Sequence, residues 1–177
     1  MILYHGSYME VRKPEIITSE VGRDFGFGFY TTDLEEQAVI WAKRRAMLAQ
    51  RRKGTPCKPV INLYEWNEEE TAMTFEIKRF MGSSMEWLNF VVKCRSELHY
   101  QHDYDVVIGN IAQGNTGEMI SYVMQGIMHK EDALKRMNFD RIHNQIAFCR
   151  KEVFHNLEFI KSIQVEGDQI KNGSLSC

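Results

Sequence analysis

The sequence predicts an α+β protein built on a mixed β-sheet. Short β-rich runs and amphipathic helical stretches alternate irregularly along the 177 residues, with no repeating βαβ rhythm, which argues against a doubly wound parallel sheet. Hydrophobic residues make up 44% and charged residues 26% of the chain, so it can bury a core and is neither disordered nor fibrous. One domain over residues 1–166, followed by a polar tail at 167–177, accounts for this length without support from disulfides or metal.

Residues 2–4, Ile-Leu-Tyr, form a first strand that delivers His5, Gly6 and Ser7 at its end, where a glycine lets a ligand approach the backbone. Residues 22–32, GRDFGFGFYTT, alternate glycines and aromatics and read as a loop feeding a short strand. Thr32 with Glu35 has the spacing of a capping box, and Leu34, Ala38, Trp41, Ala42, Leu48 and Ala49 recur at helical intervals, which predicts a helix running to about Lys53. Its C-terminal end carries Arg44, Arg45, Arg51, Arg52 and Lys53, matching the negative pole of the helix dipole, and Gly54, Thr55 and Pro56 stop it.

Residues 59–66 and 74–80 read as strands separated by an acidic turn at 67–70. Ser83 with Glu86 forms a second capping box, and the helix it opens presents Trp87, Phe90, Val91 and Cys94 on one side. Residues 104–108 are a β-branched run expected to be a buried strand, and two short helices fill 118–137. Strands at 143–149 and 157–165 complete the elements. Met119, Met124 and Met128 fall at helical spacing and read as core filler.

A formal net charge of −2 gives no broad attraction to a polyanion and argues against a binder that works by neutralising phosphates, although a local basic patch remains open. No stretch approaches the roughly 18 apolar residues of a membrane span, and no basic segment followed by an apolar run marks export, so a cytoplasmic chain with no membrane partner is expected. Cys57, Cys94, Cys149 and Cys177 lack metal-site spacing and read as reduced thiols.

Three distant segments share a chemical theme: a histidine beside a glycine, an aromatic-glycine loop running into Tyr30, and Gln145 opening a strand. Taken singly, His5-Gly6 reads as a strand-end turn, Tyr30 as a half-buried strand aromatic and Gln145 as a solvated strand residue. Jointly, the run Leu3-Tyr4-His5-Gly6-Ser7 and the run Phe25-Gly26-Phe27-Gly28-Phe29-Tyr30 resemble the histidine-tyrosine-glutamate class of ADP-ribosyltransferases, which includes diphtheria-type toxins and poly(ADP-ribose) polymerases. Trp41, eleven residues after Tyr30, falls where that class carries a second stacking aromatic. Within the class the chain is most similar to small bacterial proteins with a glutamine-bearing strand.

The resemblance implies an ADP-ribosyltransferase-like fold, with mixed and antiparallel β-sheets forming a split core flanked by helices, NAD as substrate and a toxin-like transferase activity. It implies a cofactor-binding set of His5, Gly6, Ser7, Phe25, Gly26, Gly28, Tyr30 and Trp41, and a catalytic set of Gln145, His5 and Tyr30. In these roles the Gly6 backbone pairs with the nicotinamide carboxamide, His5 bonds a ribose hydroxyl, and Tyr30 and Trp41 sandwich the pyridinium, to which aromatic faces are electrostatically attracted.

Position 145 departs from the pattern. The family glutamate stabilises an oxocarbenium-like transition state, whereas Gln145 accepts a hydrogen bond but brings no charge. The implied activity is therefore transfer of one ADP-ribose unit, with nicotinamide released, to a macromolecular acceptor, protein first and nucleic acid as the alternative. An NAD- or ADP-ribose-binding module without chemistry is the competing reading. Glu152 or Glu118 would supply the charge if the strand alignment were shifted. Residues 97–103 hold two histidines and an aspartate but no distant third ligand, so they read as a polar loop and no metal is expected. The basic helix end from Arg44 to Lys53 reads as a solvated face, with a landing strip for a nucleic-acid or acidic protein acceptor as the alternative.

Overall fold

The computed structural model describes residues 1–18, 22–97, 100–137 and 144–166. Seven strands form one mixed sheet in the order β4-β5-β6-β2-β1-β3-β7. They are β1 (Ile2–Ser7), β2 (Phe29–Thr32), β3 (Val60–Trp66), β4 (Ile77–Arg79), β5 (Val106–Asn110), β6 (Asn144–Phe148) and β7 (Leu157–Gln164). The helices are α1 (Glu35–Lys53), α2 (Glu68–Ala72), α3 (Met85–Ser96), α4 (Gly114–Met124) and α5 (Lys130–Arg136), with a 3-10 turn at Lys151–Asn156. Among these strands, β4 and β5 run parallel and the other neighbours antiparallel.

The sheet is continuous but thin in the middle. β1 pairs with β3 over six residues, from Ile2↔Glu65 to Ser7↔Val60, whereas it meets β2 only at Tyr4↔Thr32. Two half-sheets, β4-β5-β6-β2 and β1-β3-β7, therefore meet at a seam. The aromatic-rich cluster of Leu3, Phe29, Tyr64, Trp66, Ile146 and Phe148 draws side chains from both halves and binds them together. α1 covers β1 and β3 through Ala38, Ala42 and Ile61, and α3, α4 and α5 pack over the other half through Trp87, Leu88, Val91, Ile120 and Ala133.

Several boundaries differ from the sequence reading, each for a local reason. Thr32 does not cap α1: it stays in the β2 ladder, its Oγ1 accepts from Leu34 N at 3.2 Å, and Leu34 is the N-cap residue, with no side-chain cap bond. Ser84 rather than Ser83 caps α3, its Oγ accepting from Trp87 N at 3.1 Å, while Ser83 Oγ accepts from Asn110 Nδ2 at 2.7 Å. The acidic turn at 67–70 is the start of α2, nucleated by Asn67 Oδ1 accepting from Glu70 N. The strand expected over 74–80 shrinks to Ile77–Arg79 because the end of α2 occupies its beginning: Thr74 N and Phe75 N both donate to Thr71 O. Of the methionines, Met119 is buried but Met124 is 40% exposed and fills no core. His143, Leu98, His99 and the tail from 167 lie outside the described residues.

Candidate functional site

Where the seam opens, α1 and β1 on one side and the loops around β2, β5 and β6 on the other enclose a cleft of about 440 Å³. That is within the range of roughly 300–1,000 Å³ common for small-molecule sites. His5, Gly6, Tyr30, Trp41 and Gln145 all line it, so the histidine, both aromatic rings and the glutamine share one space.

His5 bridges the seam. Its Nδ1 lies 2.7 Å from the carbonyl oxygen of Tyr30; a carbonyl only accepts, so Nδ1 carries the hydrogen and a neutral ring leaves Nε2 as an acceptor. The ring stacks on Phe29 with centroids 4.3 Å apart. Burial is the main cause that lowers its pKa to about 4, helped by Arg45 and Arg23 and opposed by the Tyr30 bond, so His5 is neutral near pH 7.

Tyr30 is 6% exposed, and its hydroxyl is fully engaged: it donates to Gly26 O at 2.7 Å and accepts from Phe25 N at 3.1 Å. Burial pushes its pKa well above the ordinary tyrosine value, which leaves the ring face and not the phenol as its chemical asset. The guanidinium of Arg23 lies over that ring, 5.0 Å from its centroid. Trp41 borders the cleft from α1.

Gln145 is 4% exposed and is not the solvated strand residue that its position alone suggests. Its Nε2 donates to Asp24 Oδ2 at 2.6 Å and to Asn110 O at 3.3 Å, leaving Oε1 without a partner among the described residues. Asp24 is in turn held by Arg95, whose Nε donates to Oδ1 at 2.8 Å and whose second nitrogen donates both to Oδ1 and, at 2.8 Å, to Ala112 O. Ala112 N also donates to Asp24 Oδ2 at 3.2 Å.

The remaining sequence candidates stand behind the cleft. Phe25 is wholly buried and packs against Phe80 and Phe90. Ser7, Gly26 and Gly28 are likewise absent from the lining. Gly26 has φ +72°, and its carbonyl accepts the Tyr30 hydroxyl, while a Cβ at Gly28 would sit 3.0 Å from Phe148 O. These residues shape the loop that carries Tyr30. Gly6 borders the cleft, but the side on which a Cβ would stand faces the helix: that Cβ would lie 2.3 Å from Ala38 O and 2.6 Å from Ala42 N, so α1 rests directly on β1. Glu118 accepts from Tyr122 Oη at 2.7 Å, and neither it nor Glu152 lines the cleft.

Sequence reasoning missed Asp24, Arg95 and Arg23; it read the α1 arginines as a solvated face with an anionic landing strip as the alternative, and Arg44, Arg51 and Arg52 are indeed exposed. Arg44, Arg45 and Arg52 line the cleft with Trp41 and Leu48. The spacing of 3, 4, 7 and 11 residues from Trp41 was the available signal, because it puts all five on one side of a helix. Arginines thus dominate the charge of the cleft walls, and arginine forks suit phosphate oxygens.

A model of one protein family matches residues 1–159, a span containing every residue of the cleft. The chain belongs to that family, described as Protein of unknown function (DUF3990). No curated protein and no solved structure matches it significantly. Among the described residues no helix of this DUF3990 chain is long and apolar enough to cross a membrane.

Proposed function

We propose that the chain has an ADP-ribosyltransferase-like fold, binds NAD⁺ in the seam cleft and transfers a single ADP-ribose unit to a macromolecular acceptor, releasing nicotinamide. The observation that carries this reading is the convergence of His5, Tyr30, Trp41, Gln145 and the α1 arginines, from distant parts of the chain, on one cleft. Neutral His5 offers Nε2 to a ribose hydroxyl. The rings of Tyr30 and Trp41 suit the two faces of the planar pyridinium, and the arginines suit the diphosphate. Gln145 Oε1 accepts from a hydroxyl of the nicotinamide ribose.

In the reaction the bond from the ribose C1′ to the nicotinamide nitrogen breaks, with its electron pair leaving on nicotinamide. The acceptor nucleophile then bonds to C1′ and gives up its proton to solvent or to a group on the acceptor. The protein supplies placement and a dipole at the developing cation, which fits modest single-unit transfer. The acceptor is a cytoplasmic protein, with nucleic acid as the alternative.

A second reading, an NAD- or ADP-ribose-binding module, draws support from the neutral side chain at 145 and from the pairing of the cleft carboxylate with Arg95. Incubation with labelled NAD⁺, alone and with cell lysate, separates the two. Nicotinamide release with label on macromolecules supports the transferase, and saturable binding without release supports the module. Gln145→Ala should lower turnover by at least about tenfold with NAD⁺ affinity changed less than about threefold. An unchanged rate removes Gln145 from the reaction.

A further inference from the structure

Among the described residues, Asp24 is the only carboxylate lining the cleft, and it lies against the residue that stands where the resembled family has its glutamate. We propose that Asp24 is the positioning residue for position 145. By accepting the Gln145 amide N–H it turns Oε1 toward the cleft, and by its own charge it excludes a carboxylate at 145. The orientation of the amide follows from its partners. Both groups facing Nε2, the Asp24 carboxylate at 2.6 Å and the Asn110 carbonyl at 3.3 Å, accept hydrogen bonds only, so a reversed amide would set oxygen against oxygen twice. Asp24 itself cannot swing away easily, because Arg95 and the Ala112 N–H hold both of its oxygens.

A carboxylate at 145 would face Asp24 at hydrogen-bond distance, where two carboxylates do not both stay ionised. The negative charge of the site therefore sits on Asp24, beside position 145 rather than on it as in the family pattern, and Gln145 is polarised by it. An amide that donates to a carboxylate has a more strongly accepting carbonyl oxygen, as in any polarised hydrogen-bond chain. The role of Oε1 toward NAD⁺ rests on the proposed function; the dependence of position 145 on Asp24 does not.

The test compares wild type with Asp24→Asn, Gln145→Glu and the double variant, by nicotinamide release and thermal unfolding between about pH 5 and about pH 8. The charged and titratable groups around the pair are Arg95 and Cys94 on α3, Tyr30 on β2, His5 on β1, Arg23 and the α1 arginines. His5 stays neutral over most of that range and Tyr30 and Cys94 stay protonated, so a new titration reports the carboxylate pair.

At about pH 8, Gln145→Glu should lose at least about tenfold in kcat and recover toward about pH 5, as one carboxylate takes up a proton. Asp24→Asn should lower kcat about tenfold with KM within about threefold, because an asparagine amide no longer fixes the orientation at 145. The double variant should return to within about threefold of wild type with a flat pH profile, since the introduced asparagine amide donates to the introduced carboxylate. Full activity of Gln145→Glu at about pH 8, or a double variant no better than Gln145→Glu alone, overturns the proposal. If wild type releases no nicotinamide, the transferase reading fails and unfolding midpoints decide the coupling. Loss in Gln145→Glu that is relieved by acid and by Asp24→Asn supports it, and additive, pH-independent losses overturn it.

Discussion

The guanidinium of Arg23 lies over the ring of Tyr30, 5.0 Å from its centroid, in the cleft that both residues line. A cation thus already covers the aromatic face that the proposed function assigns to the pyridinium. Such contacts contribute about 0.5–2 kcal/mol, so the incoming ring competes with an intramolecular partner of similar strength. Arg23→Ala should tighten binding of nicotinamide riboside, which is cationic but lacks phosphates, by about fivefold in calorimetry. Weaker binding in the variant would show that Arg23 assists the ligand rather than competing with it.

His5 makes stability pH-dependent with a defined sign. It is charged in the unfolded chain below about 6.5 but stays neutral in the fold down to about 4, so between those values the unfolded state binds more protons. Its contribution is intact above about 6.5 and falls away by up to about 3 kcal/mol as pH drops to about 4. His102 is shifted in the same direction by its burial and adds to the slope. Denaturant titrations of His5→Gln across this range should show a shallower acid loss than wild type; an identical slope would mean that His5 is protonated in the fold.

Gly6→Ala should be among the costliest single-methyl changes in the chain. The added carbon would lie 2.3 Å from Ala38 O, 2.6 Å from Ala42 N and 2.8 Å from Trp41 Cβ, and helix backbone does not yield as a flexible side chain does. A loss of at least about 3 kcal/mol is expected by chemical denaturation. Gly54→Ala provides the comparison: φ is +69° and a Cβ would meet nothing within 4 Å, so only about 1 kcal/mol should be lost.

Arg44 and Arg52 line the cleft and make no ion pair among the described residues. Replacing both with alanine should weaken ADP-ribose binding by about tenfold at low salt and by less at high salt, with stability changed by no more than about 0.5 kcal/mol. Calorimetry at two salt concentrations reads this directly. An equal loss at both would point to a packing role instead.

The elements that sequence reasoning located are those that carry a period. α1 follows from its alanine and tryptophan spacing, and β5 from a β-branched run buried on both faces. The 3-10 turn at Lys151–Asn156 has no such period and was missed, although Val153 is wholly buried beneath it. The cleft divides in the same way. His5, Tyr30, Trp41 and Gln145 were reachable because each stands in or near a recognisable motif. Asp24 was not, since its partners Arg95 and Gln145 lie 71 and 121 positions away and no spacing relates them. The α1 arginines were visible and read as a solvated helix end, with an anionic landing strip as the alternative, because one pattern of charge suits both a helix end and a cleft wall.

The seam between β1 and β2, with its single paired position, gives the cleft no wall of its own making. His5 and Trp41 belong to one half-sheet and its helix, and Tyr30 and Gln145 to the other, with the imidazole of His5 as a strut between them. A molecule lodged there stitches the two halves together, so ligand binding and cooperative melting of the whole domain become one equilibrium. Any ligand of this cleft should register as slower hydrogen exchange in β1 and β6 alike.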